Sequence, residues 1–242
     1  MGFFKKKIKQ RQIDMQNLPT HLAFIMDGNG RYATSRGMPR NYGHKKGLEA
    51  LKRVVDACYE LGIKVVSFYM FSTENWKRPK EEVDYIFSLA NEYEEGSLDE
   101  YRDKGIKVVT MGDLSRLKDD VRENLLKLVE ETKGNDKMIV NLGLNYGGRD
   151  EIVRACNNII KDGVKVVDQQ IFGTYLYTNN LPDPDMIVRT SGEMRVSNFM
   201  LYQLAYSEMY FPKKHWPEFD KDSVIDVIAE FQGRNRRFGG LK

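Results

Sequence analysis

Short apolar runs alternate along the chain with longer amphipathic stretches. The first run covers residues 22–26, and it ends abruptly at Asp27 with Gly28-Asn29-Gly30 behind it. A run of this length that is followed by a glycine turn is typical of a buried strand. Over 44–61 the apolar residues recur instead with a period of three to four, which predicts a helix.

The same alternation continues to the end of the chain. It predicts strands over 63–71, 106–111, 138–144 and 185–188, and helices over 79–103, 117–132, 150–160 and from about 220 onward. The pattern is less clear over 163–178, where a short helix fits, and over the compact apolar stretch 199–211. Alternating strands and helices predict an α/β fold, with one domain over 21–242 and a central, mostly parallel sheet flanked by helices.

Length and composition are those of a globular domain. The chain has 242 residues, of which 41% are hydrophobic and 30% are charged. The net charge of +3 is too small to indicate a nucleic-acid partner. No stretch of the sequence is apolar over the length that crosses a bilayer, so we expect a cytoplasmic protein.

The first twenty residues and the two cysteines add two expectations. Residues 1–20 form a basic segment that we expect to be flexible, and Phe3 and Phe4 beside lysines could make a weak peripheral contact with an anionic membrane. Cys58 and Cys156 fall on the apolar faces of predicted helices, where we expect reduced core residues.

Polar side chains follow three of the predicted strands at the points where those strands end. In chain order these loops carry Asp27 and Arg31, then Ser72, Asn75 and Arg78, then Arg189, Arg195 and Ser197. The carboxyl ends of parallel strands meet at one edge of a sheet, where ligands of such folds bind. We therefore expect the three loops to converge.

The residue types at this edge indicate a phosphorylated ligand. Asp27 offers a carboxylate, while the backbone of the glycine turn and the nearby arginines offer donors for phosphate oxygens. Mg²⁺ typically binds few protein carboxylates and completes its shell with phosphate oxygens, which indicates a magnesium ion shared with the ligand. Asp27 could equally cap a helix after a plain strand–helix turn, because Gly-x-Gly alone is a weak signal.

Three functions remain open on these residues alone. Phosphoryl hydrolysis through an aspartyl intermediate would use Asp27, but Asn29 stands where phosphohydrolases of the haloacid dehalogenase type need a second aspartate. Transfer of a group whose leaving group is diphosphate would use the same carboxylate and arginines. A non-catalytic subunit that binds a diphosphate lipid would not need the acidic metal ligand, yet Asp27 is present.

Six segments resemble the cis-prenyltransferases, and most nearly the bacterial undecaprenyl diphosphate synthases. They are HLAFIMDGNGRYA, FSTENWKRP, LNYGGRDEI, LPDPDMIVRTSGEMRVSNF, AYSEMYF and RRFGG. The resemblance implies an α/β fold with an apolar product tunnel, a homodimer and Mg²⁺ as the cofactor. It implies successive condensation of isopentenyl diphosphate onto an allylic diphosphate such as farnesyl diphosphate, with formation of Z double bonds.

The resemblance also implies roles for individual residues. Asp27 would bind Mg²⁺ and the allylic diphosphate, Asn75 would take part in proton removal, and Glu208 would be a second acidic metal-site residue near the dimer interface. The allylic diphosphate would be wrapped by Gly28, Asn29, Gly30 and Arg31, with help from Arg40 and His44. The reacting ends of both substrates would lie by Ser72, Asn75 and Arg78, and isopentenyl diphosphate would bind to Arg189, Arg195 and Ser197. The predicted substrate-binding set is completed by Tyr32, Thr73, Glu74, Trp76 and Val196.

Several positions depart from the family pattern. Tyr32 and Tyr202 stand where tryptophan is usual, and Met70 stands where a small alanine is common. None of these changes removes a phosphate or metal ligand, so we expect an active enzyme. Undecaprenyl diphosphate, the precursor of a cell-wall carrier lipid, is the expected product, and Met70 makes a shorter polyprenyl diphosphate the alternative.

Overall fold

Six parallel strands form one sheet in the part of the chain that the computed structural model describes, residues 12–234 without the side chains of 94–96. They are β1 His21–Ile25, β2 Val65–Ser72, β3 Ile106–Met111, β4 Met138–Tyr146, β5 Met186–Arg189 and β6 Glu208–Tyr210. Their order across the sheet is β3-β4-β2-β1-β5-β6, and every neighbouring pair is parallel. The predicted α/β fold with a central parallel sheet is confirmed, and the short edge strand β6 is an addition to it.

Helices fill the connections between these strands. Within the described residues they are α1 Asn29–Thr34, α2 Arg40–Leu61, α3 Lys80–Lys104, α4 Asp119–Thr132, α5 Gly148–Lys161, α6 Gln169–Thr174 and α7 Lys221–Gln232. The two long helices α2 and α3 end where Gly62 and Gly105 take φ values of +83° and +67°. A left-handed residue of this kind closes the last turn of a helix, and glycine adopts it without a steric penalty.

The first two helices differ from the sequence prediction. Residues 29–34, which we expected to be part of a loop, form α1, and α2 begins at Arg40 instead of at residue 44. Gly43 therefore lies inside α2, where a Cβ atom would stand 1.9 Å from the backbone oxygen of Asn29. This glycine allows α1 to cross α2 closely and does not interrupt the helix.

One of the two cysteine predictions is wrong. Cys58 is fully buried on α2, but Cys156 on α5 is exposed. The buried stripe of α5 runs through Glu151, Ala155 and Ile159, at four-residue intervals, so Cys156 lies to one side of it. Both cysteines are free thiols.

The core lies on both faces of the sheet but is much larger on one of them. Leu22 and Phe24 of β1 belong to the large cluster, in which α2, α3, α4 and α7 cover the sheet. The alternate residues Ala23 and Ile25 belong to a small cluster on the other face, which includes Phe199. Strands that are buried on both faces have the continuous apolar sequences from which they were predicted.

The order in which successive strands are added to the sheet reverses at β1. The chain places β2, β3 and β4 on one side of β1 and β5 and β6 on the other. A crevice forms at such a switch point, outside the carboxyl ends of the strands. The loops after β1, β2 and β5 meet at this crevice, as predicted.

The described part of the N-terminal segment contacts the last helix. Asp14 and Asn17 accept hydrogen bonds from the amide of Gln232 on α7, and Leu18 packs against the large cluster. The predictions for Phe3, Phe4 and the terminal motif at 236–240 lie outside the described residues.

Candidate active site

The turn after β1 contains glycines because the chain passes close to its neighbours there. Gly28 has a φ of +100°, and a Cβ atom on it would lie 1.9 Å from Ser191 Oγ. A Cβ atom on Gly30 would lie 2.7 Å from Arg40 Nη1. The two glycines therefore let β1 run directly into α1 at the carboxyl edge of the sheet.

Asp27 is the acidic centre of this edge and is paired with two arginines. Its Oδ2 lies 2.9 Å from Arg189 Nη2, and its Oδ1 lies 3.0 Å from Arg31 Nη2. Burial opposes ionisation of this carboxyl, but hydrogen bonds from Arg189 and Arg31 outweigh that effect and hold the pKa of Asp27 below its ordinary value. Asp27 is therefore a carboxylate at neutral pH.

Arg189 ties the loop after β5 to the same centre. Only 5% of this residue is exposed, and its Nη1 donates to Ser197 Oγ at 2.6 Å and to the backbone oxygen of Arg195 at 2.7 Å. Ser197 and Asn198 have φ values of +47° and +65°, in the left-handed region, which asparagine tolerates but serine seldom adopts. Strained backbone of this kind clusters at functional sites, where the surrounding contacts hold it.

A further carboxylate links the β1 and β5 loops. Glu193 accepts a hydrogen bond from Arg31 Nη1 at 2.7 Å and a second one from Arg195 Nη1. Arginine and carboxylate groups thus alternate from Arg189 through Asp27, Arg31 and Glu193 to Arg195. These arginines carry carboxylate partners that the anionic groups of a substrate could replace.

The loop after β2 is a 3₁₀ turn, Thr73–Lys77, whose N-terminal end carries a capping box. Asn75 Oδ1 accepts from the backbone N–H of Ser72 at 3.1 Å, and the Ser72 side chain accepts in return from the backbone of Asn75. This reciprocal cap fixes the Asn75 side chain at the edge of the sheet.

A second group of basic side chains surrounds Glu82, in the first turn of α3. Arg40, His44 and Arg78 each place a nitrogen 3.2 Å from Glu82 Oε1. Burial favours the neutral form of Glu82, but its basic partners hold its pKa below the ordinary value. Burial also lowers the pKa of His44, against the opposing effect of Glu82.

Several of these side chains line one polar cleft of about 600 Å³. It is bordered by Ile25, Met26, Asp27, Tyr69, Met70, Ser72, Glu74, Asn75, Arg78, Arg189, Arg195, Ser197 and Asn198. The structure therefore brings eight of the predicted site residues to one surface: Asp27, Ser72, Glu74, Asn75, Arg78, Arg189, Arg195 and Ser197. Arg31 joins them through Asp27, and Arg40 and His44 join them through Glu82.

An apolar pocket adjoins the polar cleft. Its volume is about 60 Å³, and it is lined by Met26, His44, Gly47, Leu48, Leu51, Met70, Ile86, Leu89, Ala90 and Trp216. Met26 and Met70 border both cavities. A molecule with a charged head and an apolar tail would span the two cavities past these methionines.

Four of the predicted side chains that do not line the polar cleft make contacts elsewhere. Thr73 donates to Asp150 beside a separate cavity, and the Trp76 indole packs on Phe71 and Phe87. Tyr32 on α1 stacks on Tyr42 and carries the Arg36 guanidinium 3.8 Å above its ring. Val196 packs against the small core cluster.

Glu208 lies far from Asp27 along the strand direction. It begins β6 and pairs with Met186 of β5, which in turn pairs with Leu22 of β1. Asp27 lies five residues beyond Leu22, toward the carboxyl edge, and a strand rises about 3.3 Å per residue. A shared role for Glu208 and Asp27 therefore requires Glu208 from another subunit.

The donors of the cleft fit a magnesium ion only if a ligand supplies most of the coordination. Within residues 12–234, no group of three or more His, Cys, Asp and Glu side chains could hold a metal by itself. Asp27 offers a single ionised carboxylate among donors suited to phosphate. One carboxylate together with phosphate oxygens is a common shell for Mg²⁺.

Sequence reasoning missed Glu82 and Glu193 as parts of the site. Glu82 falls within the helix predicted over 79–103, and the sequence pattern assigns it no role in the site. Its ion pair with Arg78 was not predictable from helical spacing, because Arg78 lies before α3 begins at Lys80. Its contacts with Arg40 and His44, and those of Glu193, depend on the fold.

The fold and the site define an α/β protein with an arginine-rich cleft beside an apolar pocket at the switch point of its sheet. A family model described as "Putative undecaprenyl diphosphate synthase" matches residues 25–239. The isoprenyl transferase of Clostridium perfringens is 42% identical over the whole length of both chains. That of Bacillus subtilis is 46% identical over 93% of this chain and 88% of its own. The chain belongs to the undecaprenyl diphosphate synthase family and is a cis-prenyltransferase of that type.

Solved structures agree with this assignment. The lavandulyl diphosphate synthase of Lavandula x intermedia, determined with dimethylallyl diphosphate, matches with a TM-score of 0.88 and 31% identity, over 93% of this chain and 99% of its own. A probable undecaprenyl diphosphate synthase from Campylobacter jejuni matches with a TM-score of 0.79 and 35% identity, over 92% and 99%. The predicted family is therefore confirmed.

Proposed function

We propose that this prenyltransferase condenses isopentenyl diphosphate successively onto farnesyl diphosphate and releases a Z-polyprenyl diphosphate. In each condensation a carbon–carbon bond forms between the two substrates, diphosphate leaves the allylic substrate, and a proton leaves the isopentenyl group. Undecaprenyl diphosphate is the proposed final product, as a precursor of the cell-wall carrier lipid.

One observation carries the proposal: an arginine-rich polar cleft opens directly beside an apolar pocket. The substrates of such a condensation have diphosphate heads and isoprenoid tails. The cleft suits two diphosphates because arginines stand on both sides of Asp27, with Arg31 bonded to one carboxylate oxygen and Arg189 to the other. The apolar pocket suits the tail that grows.

Asp27 and Arg31 would act on the allylic substrate. Breaking its carbon–oxygen bond leaves charge on the departing diphosphate, and donors that are already oriented stabilise that charge best. Arg31, Arg40 and the turn at 28–30 would surround the diphosphate, and Arg78 and His44 would approach it from the side of the apolar pocket. Asp27 would hold Mg²⁺, and the bound ion would supply further positive charge for the departing diphosphate.

Arg189, Arg195 and Ser197 would hold isopentenyl diphosphate next to the allylic carbon. Positioning of this kind turns a reaction between two molecules into one within a complex. The Asn75 oxygen is already bonded to the Ser72 backbone, and a neutral amide is a poor base. Asn75 would therefore orient the reacting group, and the released diphosphate or water would accept the proton.

Incubation of the purified protein with radiolabelled isopentenyl diphosphate, farnesyl diphosphate and Mg²⁺ tests the proposal. We expect butanol-extractable polyprenyl diphosphate, which chelation of the metal abolishes. No product with any allylic primer would favour a non-catalytic diphosphate-lipid binding subunit. Release of inorganic phosphate from simple monoesters would favour a phosphohydrolase.

A homodimer is part of the proposal. It is supported by the position of Glu208 on the edge strand, which leaves this carboxylate too far from Asp27 of its own chain to join a metal site there. Exposed apolar side chains, Val153 and Ile160 on α5 and Tyr206 beside β6, offer a surface for a second copy. Analytical ultracentrifugation should find a dimer at the assay concentration, and a fully active monomer would contradict this expectation.

The proposal also includes a cytoplasmic location and a weak contact of the protein with the membrane. In residues 12–234 the structure contains no helix that is long and apolar enough to cross a bilayer. The aromatic and basic residues near the N-terminus support a peripheral contact that would help to unload an apolar product. Flotation with anionic liposomes should weaken when residues 1–12 are deleted, and unchanged flotation would reject their role.

A shorter product is a second candidate, and the apolar pocket favours it. The pocket measures about 60 Å³, against about 600 Å³ for the cleft, so it offers little room for a long isoprenoid tail. Met70 narrows the passage between the two cavities. A structural relative is named for lavandulyl diphosphate, which shows that this fold alone does not set the product.

A further inference from the structure

The carboxylate of Glu82 joins three basic side chains, two from the start of α2 and one from the turn before α3. Oε1 contacts Arg40 Nη2, His44 Nε2 and Arg78 Nη1, each at 3.2 Å, and Oε2 contacts Arg40 Nε at 3.3 Å. The Glu82 side chain is 12% exposed, whereas the side chains of Arg40 and Arg78 are 57% and 36% exposed. A largely buried carboxylate therefore anchors two arginines that extend into water.

The three basic groups stand around the boundary between the polar cleft and the apolar pocket. Arg78 lines the cleft, and His44 lines the pocket. The Arg40 guanidinium lies against the turn at Gly30. Under the proposed function, the head of the allylic substrate occupies this boundary, because its tail must enter the pocket.

We propose that Glu82 is a positioning residue for the allylic substrate, whose carboxylate holds Arg40, His44 and Arg78 in place at the mouth of the apolar pocket before the diphosphate arrives. This inference rests on the proposed function and adds to it a residue that does not itself contact the reacting atoms.

The atoms that Glu82 engages leave other donors directed elsewhere. Glu82 takes Nε and Nη2 of Arg40 and Nη1 of Arg78. Nη1 of Arg40, which lies against Gly30, and Nη2 of Arg78 are not engaged by Glu82. Each guanidinium can therefore keep its anchor while its other edge binds a phosphate oxygen.

Anchoring matters because two neighbouring arginines repel each other and have many rotamers. A shared carboxylate reduces the repulsion and fixes the rotamers, so less conformational entropy is lost when the substrate binds. Glutamine at position 82 would keep the shape and lose the charge. The arginines would then be free to move away from each other.

The charged groups that act on His44 are Glu82, Arg78 and Arg40. Burial lowers the pKa of His44, Glu82 raises it, and the two arginines lower it. The imidazole is therefore neutral at pH 7 and donates from Nε2 to Glu82. Removal of the Glu82 charge should lower the pKa of His44 further, which provides a readout independent of catalysis.

The test compares Glu82→Gln with Glu81→Gln. Glu81 is the preceding residue in the same first turn of α3 and is exposed, so its variant controls for the loss of one negative charge there. For Glu82→Gln we expect a KM for farnesyl diphosphate about tenfold higher, the usual effect of lost hydrogen bonds to charged groups. The KM for isopentenyl diphosphate should change little.

Two direct measurements accompany the kinetics. Farnesyl thiodiphosphate, which resists ionisation, should bind Glu82→Gln more weakly by the same factor in titration calorimetry. NMR titration should show a lower His44 pKa in Glu82→Gln and an unchanged one in Glu81→Gln. Glu82→Asp, which keeps the charge on a shorter side chain, should fall between wild type and Glu82→Gln, and it replaces Glu82→Gln if that variant does not fold.

The outcomes separate this inference from the proposed function. If wild type makes no polyprenyl diphosphate, the proposed function is rejected. The binding and NMR data still test whether Glu82 positions the three basic side chains. If wild type is active and Glu82→Gln binds farnesyl thiodiphosphate as tightly as Glu81→Gln, or more tightly, the Glu82 inference alone is rejected. Tighter binding would mean that Glu82 competes with the diphosphate.

Discussion

The polar cleft and the apolar pocket share a wall but differ in chemistry and in size. The cleft measures about 600 Å³, and its charged residues are held by ion pairs within the protein. The pocket measures about 60 Å³ and, apart from His44, its lining is apolar or glycine. Met26 and Met70 form the boundary.

This difference suggests a division of labour. In the cleft, charges are paired in an arrangement that a diphosphate can enter by exchanging one anionic partner for another. The pocket offers few polar groups, so it can distinguish isoprenoid tails only by their size. Substitutions in the cleft should therefore change rates and affinities at constant product length, and substitutions at the boundary should change length at nearly constant affinity.

The largest expected effect is that of Asp27→Ala. We expect kcat to fall by about 10²–10³-fold, because loss of one preorganised group at a developing charge typically has this effect. The KM for isopentenyl diphosphate should change far less, since Asp27 acts on the allylic substrate. Steady-state kinetics with farnesyl diphosphate measures both quantities.

Asp84→Ala is the matched control for this variant. Asp84 also pairs with two basic side chains, Lys80 and Lys118, but it lies on the surface outside the cleft. Its loss should leave kcat unchanged. Comparable losses in the two variants would mean that Asp27 acts through general charge balance and has no specific role in the cleft.

Arg195→Ala should have a smaller and different effect. We expect the KM for isopentenyl diphosphate to rise about tenfold, as is usual for the loss of hydrogen bonds from a charged group, with a lesser effect on kcat. Arg36→Ala is the control, because Arg36 is similarly exposed but pairs with Glu218 away from the cleft. If Asp27→Ala and Arg195→Ala lowered turnover and affinity equally, the division into two diphosphate subsites would be wrong.

The sequence predicted five of the six strands to within two residues at either end. The bounds predicted for β3, residues 106–111, are those observed, because its apolar residues begin at Ile106 after Gly105 and stop before Gly112. The six-residue α1 was missed since one and a half turns show no clear period. β6 was missed because three half-buried residues at a sheet edge have no continuous apolar pattern.

The sequence predicted those residues of the candidate site that lie at the ends of strands. Parallel strands that end together bring Asp27, Ser72 and Arg189 to one edge whatever their separation in the chain. Contacts that depend on how helices pack were not predictable. Arg40 and Glu82 are 42 residues apart on two helices, and no local pattern records that their side chains meet.

The last prediction concerns Met70, and its expected effect is on product length. Met70 is half-buried at the boundary, where extra side-chain volume obstructs an entering tail. Overfilling a packed wall costs about 1–3 kcal/mol, which is enough to slow each elongation once the tail arrives. Methionine is flexible, so it narrows the passage without sealing it. Met70→Ala should therefore shift the product distribution toward longer chains, as mass spectrometry of the extracted alcohols will show.

The kinetics of the first condensation test whether Met70 affects product length without affecting substrate binding in the cleft. The KM for both substrates should stay close to wild type in Met70→Ala, because no charged contact in the cleft involves this side chain's thioether. Met15→Ala, which removes an exposed methionine outside both cavities, should leave the length distribution unchanged. If wild type and Met70→Ala stop at the same length, Met70 does not set the product, and the limit must lie deeper in the pocket, among Leu48, Ile86 and Leu89.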